Sequence, residues 1–422
     1  EMAEIGYDGL WLPPPNKSPH AGGQYAGGGN VGYSHYDKFD LGDIPQRGSR
    51  ATRYGTRGSL RNLTDNAHQM GIRNYPDIVM NHTGNGPDYR TYPGTRPNDF
   101  HGWWDGGQPG GFKRTVRMSN YGDVANGYGR TFQEELVSLI DFQTERDTRF
   151  TANAPSFSTP PSFTRHPGQL DKYPYGTILT NESTIGFLNR WITWLGNAMD
   201  FDGVRLDAPK HVVADFFGLP GDPDGFLHNI QYNYDIRRGF TDYTNNATSF
   251  EQLYLNYQDR DDALIFSEFF IGGVGEVDYW RVNYGNKLRY LDFPRKSSLI
   301  GGAFGGGNLS ALNGFAGFDP AEGVVFCQSH DESPPGKLDL AYVYVLTHVG
   351  LPVVFFTGNN LSGSDVNTKT WMKSGYGSAL GDYNWGAIPN LVFVNQNFAR
   401  GKEYNRWGEG DFTFLWVQLA NF

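Results

Sequence analysis

A single cysteine, Cys327, in 422 residues leaves no partner for an intrachain disulfide and marks no redox compartment. No apolar run reaches the length that would cross a bilayer as a helix. Basic charge is also short: 35 Lys and Arg stand against 45 Asp and Glu, a net charge of −10. Such a surface repels phosphate backbones and anionic lipid, so neither nucleic acid nor a membrane is an expected partner, whereas a neutral polymer stays open. Gly-x-Ser-x-Gly and His-Glu-x-x-His are both missing, which removes the support for a serine hydrolase or a metalloprotease. The Gly-rich segments 21–30 and 301–308 read as loops, and neither follows a strand in the manner of a phosphate-binding loop.

Aromatic residues, by contrast, are plentiful at 15% of the chain, with only 19% charged. That balance suits sugar binding, where C–H faces stack on rings, and equally a densely packed core. The length suffices for one large α/β barrel with an inserted or appended smaller domain. Short apolar runs at 7–13, 72–81, 201–207, 263–268, 288–293, 323–331 and 351–358 alternate with helical stretches at 57–70, 184–199, 211–217 and 338–348. Such alternation predicts a parallel sheet with helical crossovers. Over 183–195 the apolar residues recur at three- and four-residue steps, as a half-buried helix requires. Between 83 and 182 the pattern lapses into Gly, Pro, Tyr, Asn and Arg without periodicity. An irregular length of that size does not belong inside a compact unit, so it reads as an inserted, loop-rich subdomain.

Four of the apolar runs deliver polar residues at their C-terminal ends: Asn81 and His82; Asp207; Glu268; and His330 with Asp331. One such end is no more than the start of a turn. Four in order, carrying three carboxylates and two histidines, match the end of a (β/α)-barrel at which active sites are built. Carboxylates that converge repel one another, so their proton affinities separate and one can be an acid while another stays ionised. Glycoside hydrolysis needs that division. Arg205 lies two residues before Asp207 on the same face of a strand and can keep it ionised. A structural ion pair of Arg205 with Asp77 is the alternative, and one guanidinium can serve both carboxylates.

In order and residue type, Asp77–His82, the stretch from Gly203 to His211, Glu268 and His330-Asp331 resemble the four signature regions of the α-amylase family of glycoside hydrolases. Phe201-Asp-Gly-Val-Arg-Leu-Asp-Ala-Pro-Lys-His211 is particularly similar to bacterial endo-acting α-amylases, as are Gly32-Tyr-Ser-His-Tyr-Asp-Lys-Phe-Asp-Leu-Gly-Asp43 and Arg53-Tyr-Gly-Thr56. The resemblance implies a TIM (β/α)8-type barrel over 1–82 and 183–402, a subdomain over 83–182 inserted after strand 3, and the start of a C-terminal β domain over 403–422. It implies retaining cleavage of α-1,4-glucosidic bonds in starch-like glucans. Asp207 would be the nucleophile, Glu268 the acid and base, and Asp331 the carboxylate that holds sugar hydroxyls and favours the distorted transition state. Arg205 would orient Asp207. His82 and His330 would bond sugar hydroxyls, Tyr33 would stack on the cleaved ring, and Lys210 with His211 would line the leaving-group side. A structural Ca²⁺ would take oxygens from Asn81, Asp141 and the backbone carbonyl of His211, with Glu135 a weaker candidate; Ca²⁺ needs six to eight, so others must join. The family also implies a monomer acting on an α-glucan, secreted to the extracellular space or periplasm because starch is too large to enter a cell.

The sequence departs from the family pattern at both ends. Residues 7–13 look like the second strand of the family's barrel and 1–5 like the tail of its first helix, so the first strand is absent and the chain is expected to be a fragment. Residues 390–399 resemble the last barrel helix and 411–417 the opening strand of the C-terminal domain. Segment 155–167 has no counterpart. Two further functions stay open: a transglycosylase or α-glucosidase with the same carboxylates, and an inactive sugar-binding or scaffold relative, against which the presence of all three carboxylates argues.

Overall fold

The computed structural model describes residues 2–18, 32–33, 35, 38–43, 50–83, 140–141, 184–212, 214–218, 222, 225–235, 263–284, 288–314, 317–355, 387–399, 402–409 and 413–419. The chain forms two compact units, Gly9–Glu268 and Glu1–Asp8 with Phe269–Phe422.

In the first unit β1 (Gly9–Leu12) is followed by α1 (Arg57–Gln69) and β2 (Arg73–Ile78). Helix α1 starts where Thr56 accepts a hydrogen bond from the Ser59 N–H and Ser59 Oγ accepts one from the Thr56 N–H, which satisfies two of the donors exposed at a helix start. It stops at Gly71, whose φ of +76° is costly for other residues. Two short strands, β3 (His82–Thr83) at the start of the predicted insertion and β4 (Ile140–Asp141) within it, pair antiparallel. The rest of that insertion, including Glu135 and segment 155–167, lies outside the described residues. Helix α2 (Thr184–Met199) buries Leu188, Trp191, Ile192 and Leu195, the face that the three- and four-residue steps predict. Strand β5 (Gly203–Leu206), helix α3 (Phe226–Asp235) and strand β6 (Leu264–Ser267) complete the unit.

The order β1-β2-β5-β6 is parallel throughout. Strand β2 meets β1 over Arg73–Pro76 and β5 only at Asp77 and Ile78. Pro76 has no N–H to offer, and the β5 pairing begins beyond it. Gly203 sits so close to β6 that any Cβ there would strike the Leu264 carbonyl.

The second unit opens with the helical turn Met2–Ile5 and continues through α4 (Asp278–Tyr284), β7 (Arg289–Leu291), β8 (Gly323–Val325), α5 (Leu338–Thr347), β9 (Leu351–Pro352) and α6 (Ala387–Asn397). Strands β7, β8 and β9 are parallel neighbours in that order. Its core gathers Leu299, Phe304, Val325, Tyr342, Val345 and Ile388. The hairpin of β10 (Lys402–Glu409) and β11 (Thr413–Leu419) follows, where the start of a C-terminal β domain is expected.

All seven predicted strands form, with narrower bounds. Two expectations change. The helix predicted over 211–217 is a 3₁₀ turn at Pro209–His211, an extended Val212 and one helical turn at Ala214–Phe217, because Pro209 has no N–H with which to continue a ladder from β5. The predicted loop 301–308 begins as a helical turn, Gly301–Phe304, since it continues directly from the turn Arg295–Ile300. Segment 21–30 lies outside the described residues. No helix among the described residues is long and apolar enough to cross a membrane.

Candidate active site

Three adjacent parallel strands of the first unit bring their polar ends together. Register pairs Asp77 with Arg205 and Leu206 with Ser267, and the ladder runs one residue further on each side. Asp207 donates its N–H to the Ile78 carbonyl and Glu268 its N–H to the Leu206 carbonyl, both at 3.0 Å. The backbone thus sets Asp207 and Glu268 at one level and Asp77 beside Arg205, two residues lower, all near the C-terminal ends of their strands.

Arg205 is the centre of the group and is fully buried. One amino group donates to Asp77 Oδ1 at 2.6 Å and to Asp207 Oδ1 at 2.8 Å. The other approaches Glu268 Oε1 to 2.7 Å, but off the hydrogen-bond axis. The guanidinium thus meets both carboxylates that the sequence offers it, Asp207 and Asp77, and a third is added. Burial works against the guanidinium charge, yet Asp77, Glu268 and Asp207 hold Arg205 firmly protonated. Asp207 feels burial first, which pushes its carboxyl well above the usual carboxylate range; Arg205 opposes, and Glu268 and Asp77 push the same way as burial. Glu268 keeps 19% of its side-chain surface exposed against 9% for Asp207, so the two carboxylates differ in access to solvent.

The residue after Asp207 is strained. Ala208 has φ 46° and ψ 44°, a left-handed conformation rare outside glycine, and it turns the chain from β5 into the Pro209–His211 turn. Its N–H then points at Glu268 Oε2, 3.4 Å away. Lys210 and His211 ride on this turn, partly exposed.

Tyr33 donates its hydroxyl to Asp77 Oδ2 at 2.6 Å, and its ring centroid lies 5.9 Å from the Arg205 guanidinium carbon. Burial and Asp77 hold that hydroxyl protonated. His82 is buried: its Nε2 donates to the Tyr33 carbonyl at 2.8 Å, and burial followed by the nearby Lys38 charge lowers its pKa to about 3. The ring is neutral, and its Nδ1 has no partner among the described residues.

Asp331 and His330 belong to the second unit. Ser329 Oγ accepts the N–H groups of Asp331 and Glu332, a turn that presents Asp331 with 67% of its side chain exposed. His330 Nε2 lies 3.1 Å from Asp331 Oδ2.

Asn81 is fully buried, and neither its amide oxygen nor its amide nitrogen has a hydrogen-bond partner among the described residues. An orphaned buried oxygen is costly unless something satisfies it. The β3–β4 pairing sets Asp141 opposite His82, next to Asn81 in the chain. These donors suit a hard cation in type, although no group of three or more His, Cys, Asp or Glu assembles among the described residues.

Sequence reasoning passed over two contributors. Trp11 donates its indole N–H to Asp77 Oδ2 at 3.3 Å and lies 5.2 Å from the Arg205 guanidinium carbon. Lys38 is fully buried and its ammonium donates to the Val79 carbonyl at 2.6 Å. Trp11 stands at the end of an apolar run, where an aromatic looks like core; Lys38 in Tyr-Asp-Lys-Phe-Asp looks like a surface charge.

The protein-family model described as alpha amylase, catalytic domain, matches residues 2–140. The glucan 1,4-alpha-maltohexaosidase of Bacillus sp. strain 707 is 24% identical over 398 residues, covering 83% of this chain and 64% of that protein. The alpha-amylase of Bacillus licheniformis is 25% identical over 390 residues, covering 84% and 65%. The chain thus spans a little under two thirds of the length of these curated relatives. Among solved structures, the alpha-amylase of Geobacillus thermoleovorans complexed with acarbose aligns over 100% of this chain and 76% of its own, with a TM-score of 0.56 at 16% identity. That likeness carries the fold, which is the TIM-barrel type, in agreement with the parallel strands of the two units.

Proposed function

We propose that the chain, which is similar to the α-amylase family of glycoside hydrolases, cleaves α-1,4-glucosidic bonds in starch-like glucans with retention of configuration. The observation that carries this reading is the Arg205 guanidinium shared by Asp207 and Glu268, at 2.8 and 2.7 Å. One carboxylate is held bonded to a fixed cation and buried, as a nucleophile needs. The other is more exposed, as a group that must exchange protons needs.

In the first step an Asp207 oxygen attacks the anomeric carbon while Glu268 gives its proton to the departing glycosidic oxygen. The C–O bond to the leaving sugar breaks as the bond to Asp207 forms. In the second step Glu268, now a carboxylate, takes a proton from water, and the resulting oxygen displaces Asp207. Two inversions return the α-configuration. Asp331 would hold the hydroxyls of the distorted ring, His330 and His82 would bond sugar hydroxyls, Tyr33 would cover one face, and Lys210 and His211 would line the leaving-group side. The proposed partition is a barrel over 1–82 and 183–402, an inserted subdomain over 83–182, and a β domain beginning at 403. Secretion and a monomeric state belong to the same proposal.

Calcium is the proposed structural ion, held by the Asn81 amide oxygen, Asp141 and the His211 carbonyl with further oxygens. When bound it would supply a cross-link between the strand end that carries His82 and the inserted segment. The orphaned Asn81 amide supports it. If calcium binds there, chelator lowers the unfolding temperature of the wild type, and Asn81→Leu is destabilised and no longer responds to chelator. Without a cation the substitution removes a costly buried amide and leaves stability unchanged or higher.

The deciding experiment follows soluble starch by reducing-sugar release and by proton NMR of the first product. Fresh α-anomeric product from the wild type, with Asp207→Asn slower by about 10⁴-fold or more, supports the reading. A fresh β-anomer sinks it. Predominantly lengthened oligosaccharides move the protein to the transglycosylases of the same family, and a folded but inert wild type moves it to the scaffold reading.

A further inference from the structure

Asp331 is the most exposed of the three carboxylates in the proposed reaction, with 67% of its side chain open to solvent, yet the backbone that carries it is firmly bonded. Within the turn, Ser329 Oγ accepts the N–H groups of Asp331 at 3.2 Å and Glu332 at 3.1 Å, and the Ser329 N–H donates to the Glu332 carbonyl at 3.1 Å. From a neighbouring segment, the Lys296 ammonium donates to Glu332 Oε2, on the residue next to Asp331. Lys296 stands on the π-helical turn Arg295–Ile300, and its N–H donates to the Asp292 carbonyl at 2.9 Å, directly after β7. The contact therefore joins the segment after β7 to the turn after β8, across 36 positions of the chain. An ion pair between fully exposed side chains holds little, because water competes and two long chains must be ordered. Lys296 and Glu332 keep only 16% and 21% of their side chains exposed, so this pair is largely shielded. Burial lowers the proton affinity of Lys296, but a neutral amine still donates to a carboxylate, so the tie rests on contact and not on charge alone.

We propose that Lys296 is a positioning residue for Asp331: bonded to Glu332, it fastens the Ser329–Glu332 turn to the segment after β7, so that the Asp331 carboxylate is aimed before substrate arrives. A carboxylate that is to hold the hydroxyls of a distorted ring gains most when it needs no reorganisation as the transition state forms. An exposed Asp on a loose turn would have to be ordered by the substrate itself, and the rate would fall. Ser329 sets the shape of the turn, and Lys296 sets its attachment. The role rests on the proposed part of Asp331 in hydrolysis, but the attachment does not, because the amides of the turn report on it without turnover.

Lys296→Met removes the donor, Glu332→Ala cuts the same contact from the other side, and Lys296→Arg keeps a donor in place. Cooperative thermal unfolding establishes that each variant is folded. If Lys296→Met fails to fold, Glu332→Ala takes its place in both measurements. The first measurement is amide hydrogen exchange of the full chain, read by mass spectrometry on the peptide that spans 329–332. The N–H groups of Asp331 and Glu332 are bonded to Ser329 Oγ, so a loosened turn exchanges them sooner. The expected acceleration is about tenfold in Lys296→Met and in Glu332→Ala, and below about threefold in Lys296→Arg. The second is a double-mutant cycle with Asp331→Ala on soluble starch. Lys296→Met alone is expected to lower kcat by about tenfold with KM little changed, and Lys296→Arg to restore it to within about threefold. In the Asp331→Ala background Lys296→Met adds no further loss, because the two residues act as a unit. Exchange as slow as in the wild type in a folded Lys296→Met overturns the proposal. Losses that multiply in the double variant also overturn it, since Lys296 then acts elsewhere than through Asp331. Faster exchange in a protein whose wild type does not turn over starch upholds the attachment and removes the hydrolase reading instead.

Discussion

Two buried arginines, one in each compact unit, make opposite uses of the same chemistry. In the second unit Arg295 answers a single carboxylate. Asp292, directly after β7, accepts the Arg295 N–H, the Arg295 Nε–H and the Phe318 N–H, and the guanidinium also donates to Tyr344, the Phe318 carbonyl and His348. Charges are balanced one to one and the guanidinium is ringed by acceptors. In the first unit Arg205 answers three carboxylates, while its Nε–H and second amino group lack a well-aligned acceptor among the described residues. A pair that serves only the fold can be closed and neutral. A pair that serves chemistry has to leave acceptors competing and one carboxylate within reach of solvent, because a fully satisfied carboxylate has no reason to attack or to exchange its proton.

Removing the two cations should separate these uses. Arg205→Met leaves Asp77, Asp207 and Glu268 facing one another with no opposing guanidinium, and its effect is expected to be the larger on activity, about 10³-fold in kcat/KM. The direction with pH follows from the ionisation that the nucleophile needs. Burial already raises the Asp207 proton affinity and Arg205 is the main force against it. Without Arg205 the carboxyl stays protonated to higher pH, so the acid limb of the pH profile moves up. Rates on starch between pH 4 and 9 check this, and an acid limb that stays in place or moves down would break the comparison. Arg295→Met strands one buried carboxylate in the other unit. Its expected cost is about 3–5 kcal/mol of stability, read by denaturant unfolding. Activity per folded molecule and the pH profile stay at wild-type values. A changed acid limb in Arg295→Met would mean that both clusters belong to the chemistry.

Most of the frame was legible in the residues, and the reason is local. The apolar runs are short, bounded by Gly, Pro and Asp, and four of the seven end in polar residues, so strand position and strand end are read together. Asp77, Arg205, Asp207 and Glu268 fall into register because parallel neighbours pair residue by residue. What was not legible depends on contacts between segments far apart in the chain. His82 is buried and pairs its Nε2 with the carbonyl of Tyr33, 49 positions earlier. Lys38 and Trp191, whose ring centroid lies 4.4 Å from the ammonium, are 153 positions apart, and no periodicity links them. The 3₁₀ turn at Pro209–His211 was missed because the pattern of 211–217 is amphipathic while Ala208, in a left-handed conformation, redirects the chain first.

The smallest expected effect tests whether the site cluster depends on charge or on the number of its hydrogen bonds. Trp11 gives Asp77 a neutral N–H at 3.3 Å, whereas Tyr33 and Arg205 give it stronger ones at 2.6 Å each. In Trp11→Phe the ring can remain against Phe266, with which it makes an edge contact at 5.4 Å, and beside the guanidinium, so only the weak donor is lost. The stability change should be about 0.5–1.5 kcal/mol, that of one neutral hydrogen bond. Since Asp77 keeps its cation and its phenol, kcat should fall by less than about threefold and the acid limb should not move. A loss as large as that of Arg205→Met would mean that the indole, rather than the balance of charge, sets the orientation of Arg205, and the contrast between the two arginines would then be one of aromatic packing.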